Sequence, residues 1–188
     1  MKINFKNFTT LSKEEIKLVW EMRNKIEIRS KMYNQDFIPL ESHINWVKKL
    51  AGRNDCKYFL AYLDEKPVGV VDFTSIEKSK CEWGYYLDKQ YLSSGYGILL
   101  EYYIIKYAFE VLNVNLLFCA VLNSNKNVYD THIKYFCFSK DEKYSSENEE
   151  KKLIFNGLSL TLDSWKNWKN PFVEKCINFF KVENVSWS

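Results

Sequence analysis

Two groups of residues have the type and spacing to do chemistry. The first is Leu92-Ser93-Ser94-Gly95-Tyr96-Gly97, a run of small residues between the β-forming stretch Cys81-Glu82-Trp83-Gly84-Tyr85-Tyr86-Leu87 and a segment of helical period. A loop in that place sets free backbone N–H groups and the positive end of a helix dipole before whatever enters it, and a phosphate is the natural guest. Glycines at 95 and 97 remove the Cβ atoms that would hold a pyrophosphate off the backbone. A plain strand-to-helix turn is the competing reading, since two glycines alone suit it equally. A dinucleotide fingerprint needs a third glycine where position 100 is Leu, and a Walker loop needs Gly-Lys-Ser/Thr, which is absent.

The second group is His43-x-x-Trp46, on a helix expected from Glu41 to Leu50, with Arg23 on the helix before it. Three residues apart, His43 and Trp46 share a face and offer a flat ring beside a polar nitrogen, so a nucleotide base can stack there while Arg23 meets its diphosphate. Met32 and Tyr33, between the two helices, would cover the same pocket. On spacing alone, Trp46 as core and Arg23 as a surface pair is an equal alternative. Along the 81–87 strand, alternation puts Glu82, Gly84 and Tyr86 on one face and Trp83 and Tyr85 on the other, so one set borders any substrate.

The elements that must position these residues follow in chain order. Ile3, Phe5 and Phe8 suggest a first strand, and Ser12-Lys13-Glu14-Glu15 is a capping box that starts a helix near Lys13. Ile44, Val47 and Ala51 give the second helix a core stripe, with Gly52 as its cap. Lys57 to Leu63 and Val68 to Ile76 read as an antiparallel pair turned by Asp64-Glu65-Lys66-Pro67. After the glycine loop, Ile98, Tyr102, Ile105, Phe109 and Leu112 form one helical stripe, and Leu116 to Val121 is apolar without alternation, as in a parallel strand covered on both faces. A helix over 123–134, a strand over Tyr135 to Phe138 and its partner over Lys152 to Leu160 close the domain at 1–162, leaving Glu142 to Lys151 as a solvated hairpin tip. The extension 163–188 alternates Trp165, Trp168, Phe172, Phe179, Phe180 and Trp187 with lysines; we read it as a terminal helix after Pro171 packed on the domain or on a second copy in a homodimer, ahead of a membrane-surface or base-stacking tail.

Composition narrows the classes. With 188 residues, 46% of them hydrophobic and 17% aromatic, the chain can bury a full core as one unit. A net charge of +3 with interspersed signs makes no demand for a nucleic-acid partner. No apolar run is long enough for a membrane span and Met1-Lys2-Ile3-Asn4-Phe5 lacks a signal-peptide core, so a cytoplasmic location is expected. Five scattered cysteines without a CxxC pair read as reduced packing residues, and no metal is expected.

From residue 81 to about 138 the chain resembles the GCN5-related N-acetyltransferase (GNAT) family. That resemblance implies an α/β (α+β) fold, with a mixed central sheet of about seven strands and helices on both faces, here with an extra C-terminal helical tail. It implies acetyl-CoA as cosubstrate, its pyrophosphate in a Gln/Arg-x-x-Gly-x-Gly/Ala loop; Gly95 and Gly97 match, and Leu92 stands at the Gln/Arg place. By the same resemblance the strand splays from its neighbour, leaving amides near Tyr85, Tyr86 and Leu87 for pantetheine, and Asn125 joins them. Glu82 would take a proton from the amine through water, unless it is a strand-surface glutamate paired with a lysine. The family's proton donor is a tyrosine seven residues after that asparagine; here the place holds His132, with Tyr129 and Tyr135 three residues to either side.

A second resemblance covers residues 1 to 138. Arg23-Asn24, Met32-Tyr33, His43-x-x-Trp46, Lys57-Tyr58-Phe59-Leu60, Val70-Val71-Asp72-Phe73 and Cys81-Glu82-Trp83-Gly84 are similar to the bacterial sugar-nucleotide acetyltransferases of pseudaminic acid synthesis. It implies N-acetylation of a nucleotide-linked 4-amino-4,6-dideoxy sugar by direct attack, with Arg23, Met32, Tyr33, His43, Trp46 and Tyr86 around the acceptor. Two other functions stand beside it: acetylation of a protein N-terminus or other small amine, and a non-catalytic CoA-binding relative, to which Leu92 and His132 point.

Overall fold

The computed structural model describes residues 1–92 and 94–188; the expectation placed on Ser93 lies outside the described residues. Strand β1 (Lys2–Asn7) leads into helix α1 (Lys13–Asn24), which starts where the sequence puts it. The Ser12 hydroxyl accepts from the Glu15 amide and the Glu15 carboxylate accepts from the Ser12 amide. Lys6 and Tyr62 also donate to Glu15. Burial pushes that carboxyl up, but these hydrogen bonds outweigh it and hold it at about 2. A short helix α2 (Ile26–Arg29) follows, then α3 (Leu40–Leu50). Helix α3 ends on Ala51 in right-handed geometry, so Gly52 is not the left-handed cap its type suggested.

The hairpin β2 (Lys57–Leu63) and β3 (Lys66–Thr74) turns through Asp64 and Glu65, both at positive φ, and β4 (Lys80–Leu87) completes the meander. Helix α4 (Tyr96–Glu110), strand β5 (Leu116–Leu122), helix α5 (Lys126–Phe136), β6 (Ser139–Lys140), β7 (Ser146–Asn148) and β8 (Leu153–Thr161) follow. The extension supplies α6 (Leu162–Lys166), α7 (Pro171–Phe180) and β9 (Asn184–Trp187). The described residues form one nine-stranded sheet of order β6-β8-β5-β4-β3-β2-β1-β9 with β7 beside β8, two strands more than the sequence reading expects.

Helices cover both faces. Val19 of α1 and Val47 and Leu50 of α3 pack with Leu60 and Val70 on one side. On the other, Leu99, Leu100 and Ile104 of α4, Phe136 of α5 and Val173 of α7 pack with Val71, Phe73, Trp83 and Leu117. Alternation along β3 sends Val70 to the first core and Val71 to the second. Helix α4 is buried well beyond the expected stripe: Leu99, Leu100, Glu101, Ile104, Tyr107 and Ala108 are buried, whereas Ile98, Tyr102 and Leu112 are only partly so. The strand expected over Tyr135 to Phe138 is not formed. Its alternating aromatics belong to the end of α5, where Phe136 and Phe138 enter the core and Cys137 stops the helix at φ 51°.

One feature of the sheet makes the site. Strands β4 and β5 are parallel but pair only through Lys80–Leu116, Cys81–Leu117 and Glu82–Phe118; beyond them β5 stays with β8 and β4 with β3. The sheet therefore opens from Trp83 onward.

Candidate active site

A cleft of about 820 Å³ occupies this opening and crosses the sheet between the two cores. On one side of it α1 contributes Arg23, α3 contributes His43 and Trp46, the α2–α3 loop contributes Met32 and Tyr33, and β4 contributes Glu82 and Tyr86. The structure thus brings the predicted acceptor residues to one wall. Trp46 does two jobs, packing edge-on against Tyr58 at 4.8 Å within the first core while lining the cleft. The Arg23 guanidinium donates through Nη2 to the Asn34 carbonyl at 2.9 Å, but its buried Nη1 has no partner among the described residues, and neither has buried His43 Nε2. Burial lowers both groups; the charges of Tyr86 and Asp72 work the other way on Arg23. A buried polar atom without a partner costs about 1–3 kcal/mol, which a bound ligand can relieve.

Asp72, which the sequence reading quoted only within a matched stretch, lies on the floor of the cleft. It faces Gly84 across the β3–β4 ladder, where a Cβ would stand 3.3 Å from its Oδ1, so the missing side chain keeps the carboxylate open to the cleft. Burial, then the neighbouring Glu82 charge, push its carboxyl up to about 7, with Arg23 partly offsetting them. Glu82 accepts from Thr74 Oγ1 at 3.1 Å, so it is tied to the strand by a threonine and not by the lysine of the alternative reading. An acid inside the apolar run Val68–Phe73 was the available signal for Asp72, since a central strand buries a charge only for a reason.

On the other side, the Asp88 amide donates to the Val68 carbonyl, so by antiparallel alternation the amides of Tyr85 and Leu87 point away from β3 into the opening. Tyr85, Tyr86, Leu87, Leu92, Gly97 and Asn125 line the cleft. Gly95 caps α4 in the left-handed region at φ 83°, and its carbonyl accepts from Cys176 Sγ at 3.7 Å. Ser94 Oγ donates to the Tyr91 carbonyl and accepts from the Tyr96 amide, and the Tyr96 ring lies 5.1 Å from Phe180. Ser94, Gly95 and Tyr96 shape the loop from behind, while Gly97 meets the cleft.

His132 also lines the cleft, buried beneath Trp83 with ring centroids 5.1 Å apart. Its Nδ1 lies 2.6 Å from Glu101 Oε1, and Tyr85 Oη donates to the other oxygen of Glu101 at 3.1 Å. Tyr129 packs against the second core outside the lining, and Tyr135 stacks on Phe172 at 5.0 Å. Glu101 was hidden in the sequence because a glutamate inside a helix ordinarily marks the solvated face.

A parallel strand pair that splays beside a helix N-terminus, with carboxylates and buried polar atoms opposite, is an arrangement that suits acyl transfer. The chain belongs to the acetyltransferase (GNAT) family, whose description matches residues 19–135. Among particular proteins it is similar to acetyltransferase PseH of Campylobacter jejuni subsp. jejuni serotype O:23/36, at 40% identity over 124 residues, covering 66% of this chain and 77% of the relative. The crystal structure of Campylobacter jejuni N-acetyltransferase PseH in complex with acetyl coenzyme A matches with a TM-score of 0.66 and 32% identity, covering 85% of this chain and 99% of that one. Spermidine N-acetyltransferase from Vibrio cholerae shares the fold alone, at a TM-score of 0.74 and 14% identity. Among the described residues no helix is long and apolar enough to cross a membrane.

Proposed function

We propose that the chain transfers the acetyl group of acetyl-CoA to the amine of a nucleotide-linked 4-amino-4,6-dideoxy sugar. The observation that carries this reading is the union, in one cleft, of a free β4 edge with two buried polar atoms that lack a partner among the described residues, Arg23 Nη1 and His43 Nε2, around the Asp72–Glu82 carboxylates. The similarity to PseH supports the same assignment.

The amides of Tyr85 and Leu87 bind pantetheine as an added strand would, and the amides at the start of α4 near Gly97 hold the pyrophosphate. Asn125, before the first turn of α5, completes that wall. Trp46 stacks on the nucleobase, Arg23 and His43 bind the phosphates and sugar, and Met32 and Tyr33 cover them. The Asp72–Glu82 pair takes the proton of the sugar ammonium; a carboxyl near 7 is matched to that task at neutral pH. The neutral nitrogen then attacks the thioester carbonyl directly. A cytoplasmic location goes with this reading.

Release of CoA thiol from acetyl-CoA, followed with UDP- and dTDP-linked 4-amino sugars, free amino sugars, polyamines and peptide N-termini, tests the reading. Turnover confined to a nucleotide-linked sugar, with Trp46→Ala raising its KM about 5- to 150-fold and leaving that of acetyl-CoA, is the expected result. Equal turnover of simple amines, or none with any acceptor, overturns it.

A further inference from the structure

We propose that Glu101 is a positioning residue that makes His132 the acid of the reaction, an inference that rests on the transfer reading above. The observations are geometric. Glu101 is 0% exposed in the middle of α4, and no lysine or arginine partners it among the described residues. Its two oxygens are instead divided between Tyr85 Oη at 3.1 Å and His132 Nδ1 at 2.6 Å. His132 is 3% exposed and lines the cleft, and its ring makes no other hydrogen bond among the described residues.

A carboxylate on Nδ1–H fixes the tautomer and the ring plane of an imidazole, and leaves Nε2 as the nitrogen that exchanges protons with the cleft. Trp83 and Phe138 hold the ring from the sides, at 5.1 and 5.4 Å between centroids. Tyr85 holds the remaining Glu101 oxygen and belongs to the very strand whose edge binds pantetheine, so one cluster couples the cosubstrate strand to the acid.

The amine nitrogen forms its bond to the acetyl carbon, and the tetrahedral adduct collapses by breaking the C–S bond. Sulfur leaves with the electron pair and takes the proton of His132 Nε2. The imidazole is left neutral with Nδ1–H still on the Glu101 carboxylate. Of the two protons the ammonium nitrogen gives up, the first passes through the Asp72–Glu82 pair to water before attack and the second, lost as the amide forms, resides on that pair, and exchange with water restores the pair and the imidazole. No oxidant or metal enters.

Two measurements on the intact enzyme decide it. Histidine-selective ¹⁵N NMR is simple because the chain has two histidines, and His43→Gln assigns them. His132 should carry a slowly exchanging Nδ1 proton at low field in the wild type, and Glu101→Gln should abolish that signal. In kinetics, His132→Asn should lower kcat about 10²- to 10⁴-fold. Glu101→Gln should lower it at least about 10-fold with both KM values unchanged, and should cost nothing further when His132 is already Asn. Equal losses from Glu101→Gln in both backgrounds, or an unprotonated Nδ1 in the wild type, would overturn the proposal. If the wild type turns over a different amine, the acceptor assignment fails while the same cycle and spectrum still decide Glu101. If Glu101→Gln does not fold, the wild-type spectrum and Tyr85→Phe, expected to lower kcat without moving either KM, take its place; an unchanged kcat in folded Tyr85→Phe counts against the cluster.

Discussion

Lys151 Nζ lies 2.6 Å from Asp36 Oδ1, although the two residues are 115 positions apart. Beside them Tyr33 Oη donates to the Glu147 carbonyl at 3.4 Å, and the Tyr33 ring lies 5.5 Å from that of Phe155. The segment Glu142 to Lys151, read from its charges as a solvated hairpin tip, is largely exposed, but it carries a turn of 3₁₀ helix and β7 and rests against the α2–α3 loop.

Breaking that contact should loosen the acceptor and nothing else. The pair is partly exposed, and such pairs contribute at most about 1 kcal/mol, so Lys151→Ala should raise the acceptor KM by about 2- to 5-fold. The KM of acetyl-CoA and the melting temperature should hold. An unchanged acceptor KM would mean that this segment does not close on the sugar.

Asp72 predicts the acid limb of the pH profile. Its carboxyl is pushed up to about 7, so kcat/KM should rise with pH through about 7, and Asp72→Asn should flatten the limb and cost at least about 100-fold. Because Glu82 helps to raise Asp72, Glu82→Gln should move the limb to lower pH. The stability consequence has the opposite sense to an ordinary salt-bridged acid. From the usual carboxyl range near 3.8 up to about 7 the folded chain keeps a proton that the unfolded chain has lost, so stability falls as pH rises through that window and stays lowered above it. Asp72→Asn should accordingly raise the melting temperature at pH 8, by about 2–4 °C for each kcal/mol relieved. A lower melting temperature would show that ionised Asp72 is stabilised by the site.

How far the sequence could be read depended on whether the signal was local. The capping box at Ser12 and Glu15, the turn after Leu63 and the glycine before α4 are local chemistry and sit where their residues direct, although the turn is tighter than Asp64-Glu65-Lys66-Pro67 suggests, since Lys66 and Pro67 already belong to β3. The opening between β4 and β5 depends on a register that no stretch of sequence encodes, and was reached only through family resemblance. Asp72 and Glu101 were missed because each sits in an element whose pattern assigns its position to packing or solvent. Tyr135 to Phe138 misled because alternating aromatics suit a strand and a helix end equally well.

Gly95 and Gly97 should fail differently. Gly95 has φ 83°, and a Cβ there would meet the Phe180 ring at 3.3 Å, so Gly95→Ala should destabilise the fold by about 1 kcal/mol or more. A Cβ on Gly97 has only ordinary contacts, 3.5 Å to Tyr85 Oη and 3.8 Å to Leu87, so Gly97→Val should fold normally. The branched side chain would stand in the phosphate path and abolish CoA binding. Calorimetric titration of both variants separates the roles, and full CoA affinity in folded Gly97→Val would remove the pyrophosphate assignment.

The extension should prove inseparable from the domain. Trp187 stacks between Phe5 and Tyr107 at 3.8 and 3.9 Å and meets Phe59 edge-on at 4.9 Å, closing the second core at the far edge of the sheet. Its strand, β9, pairs in parallel with β1 from Lys2–Asn184 to Phe5–Trp187. Trp187→Ala removes a large ring from a packed cluster, a change that costs about 3–5 kcal/mol, or about 6–20 °C in melting temperature for a chain of this size. Truncation after Glu183 does more, because it also strips β1 of its partner and leaves an open strand edge that can pair with another copy. That variant should associate in a concentration-dependent way by light scattering, while Trp187→Ala stays monodisperse at low temperature. If both variants melt within about 2 °C of the wild type, β9 is an appendage and the sheet is complete without it.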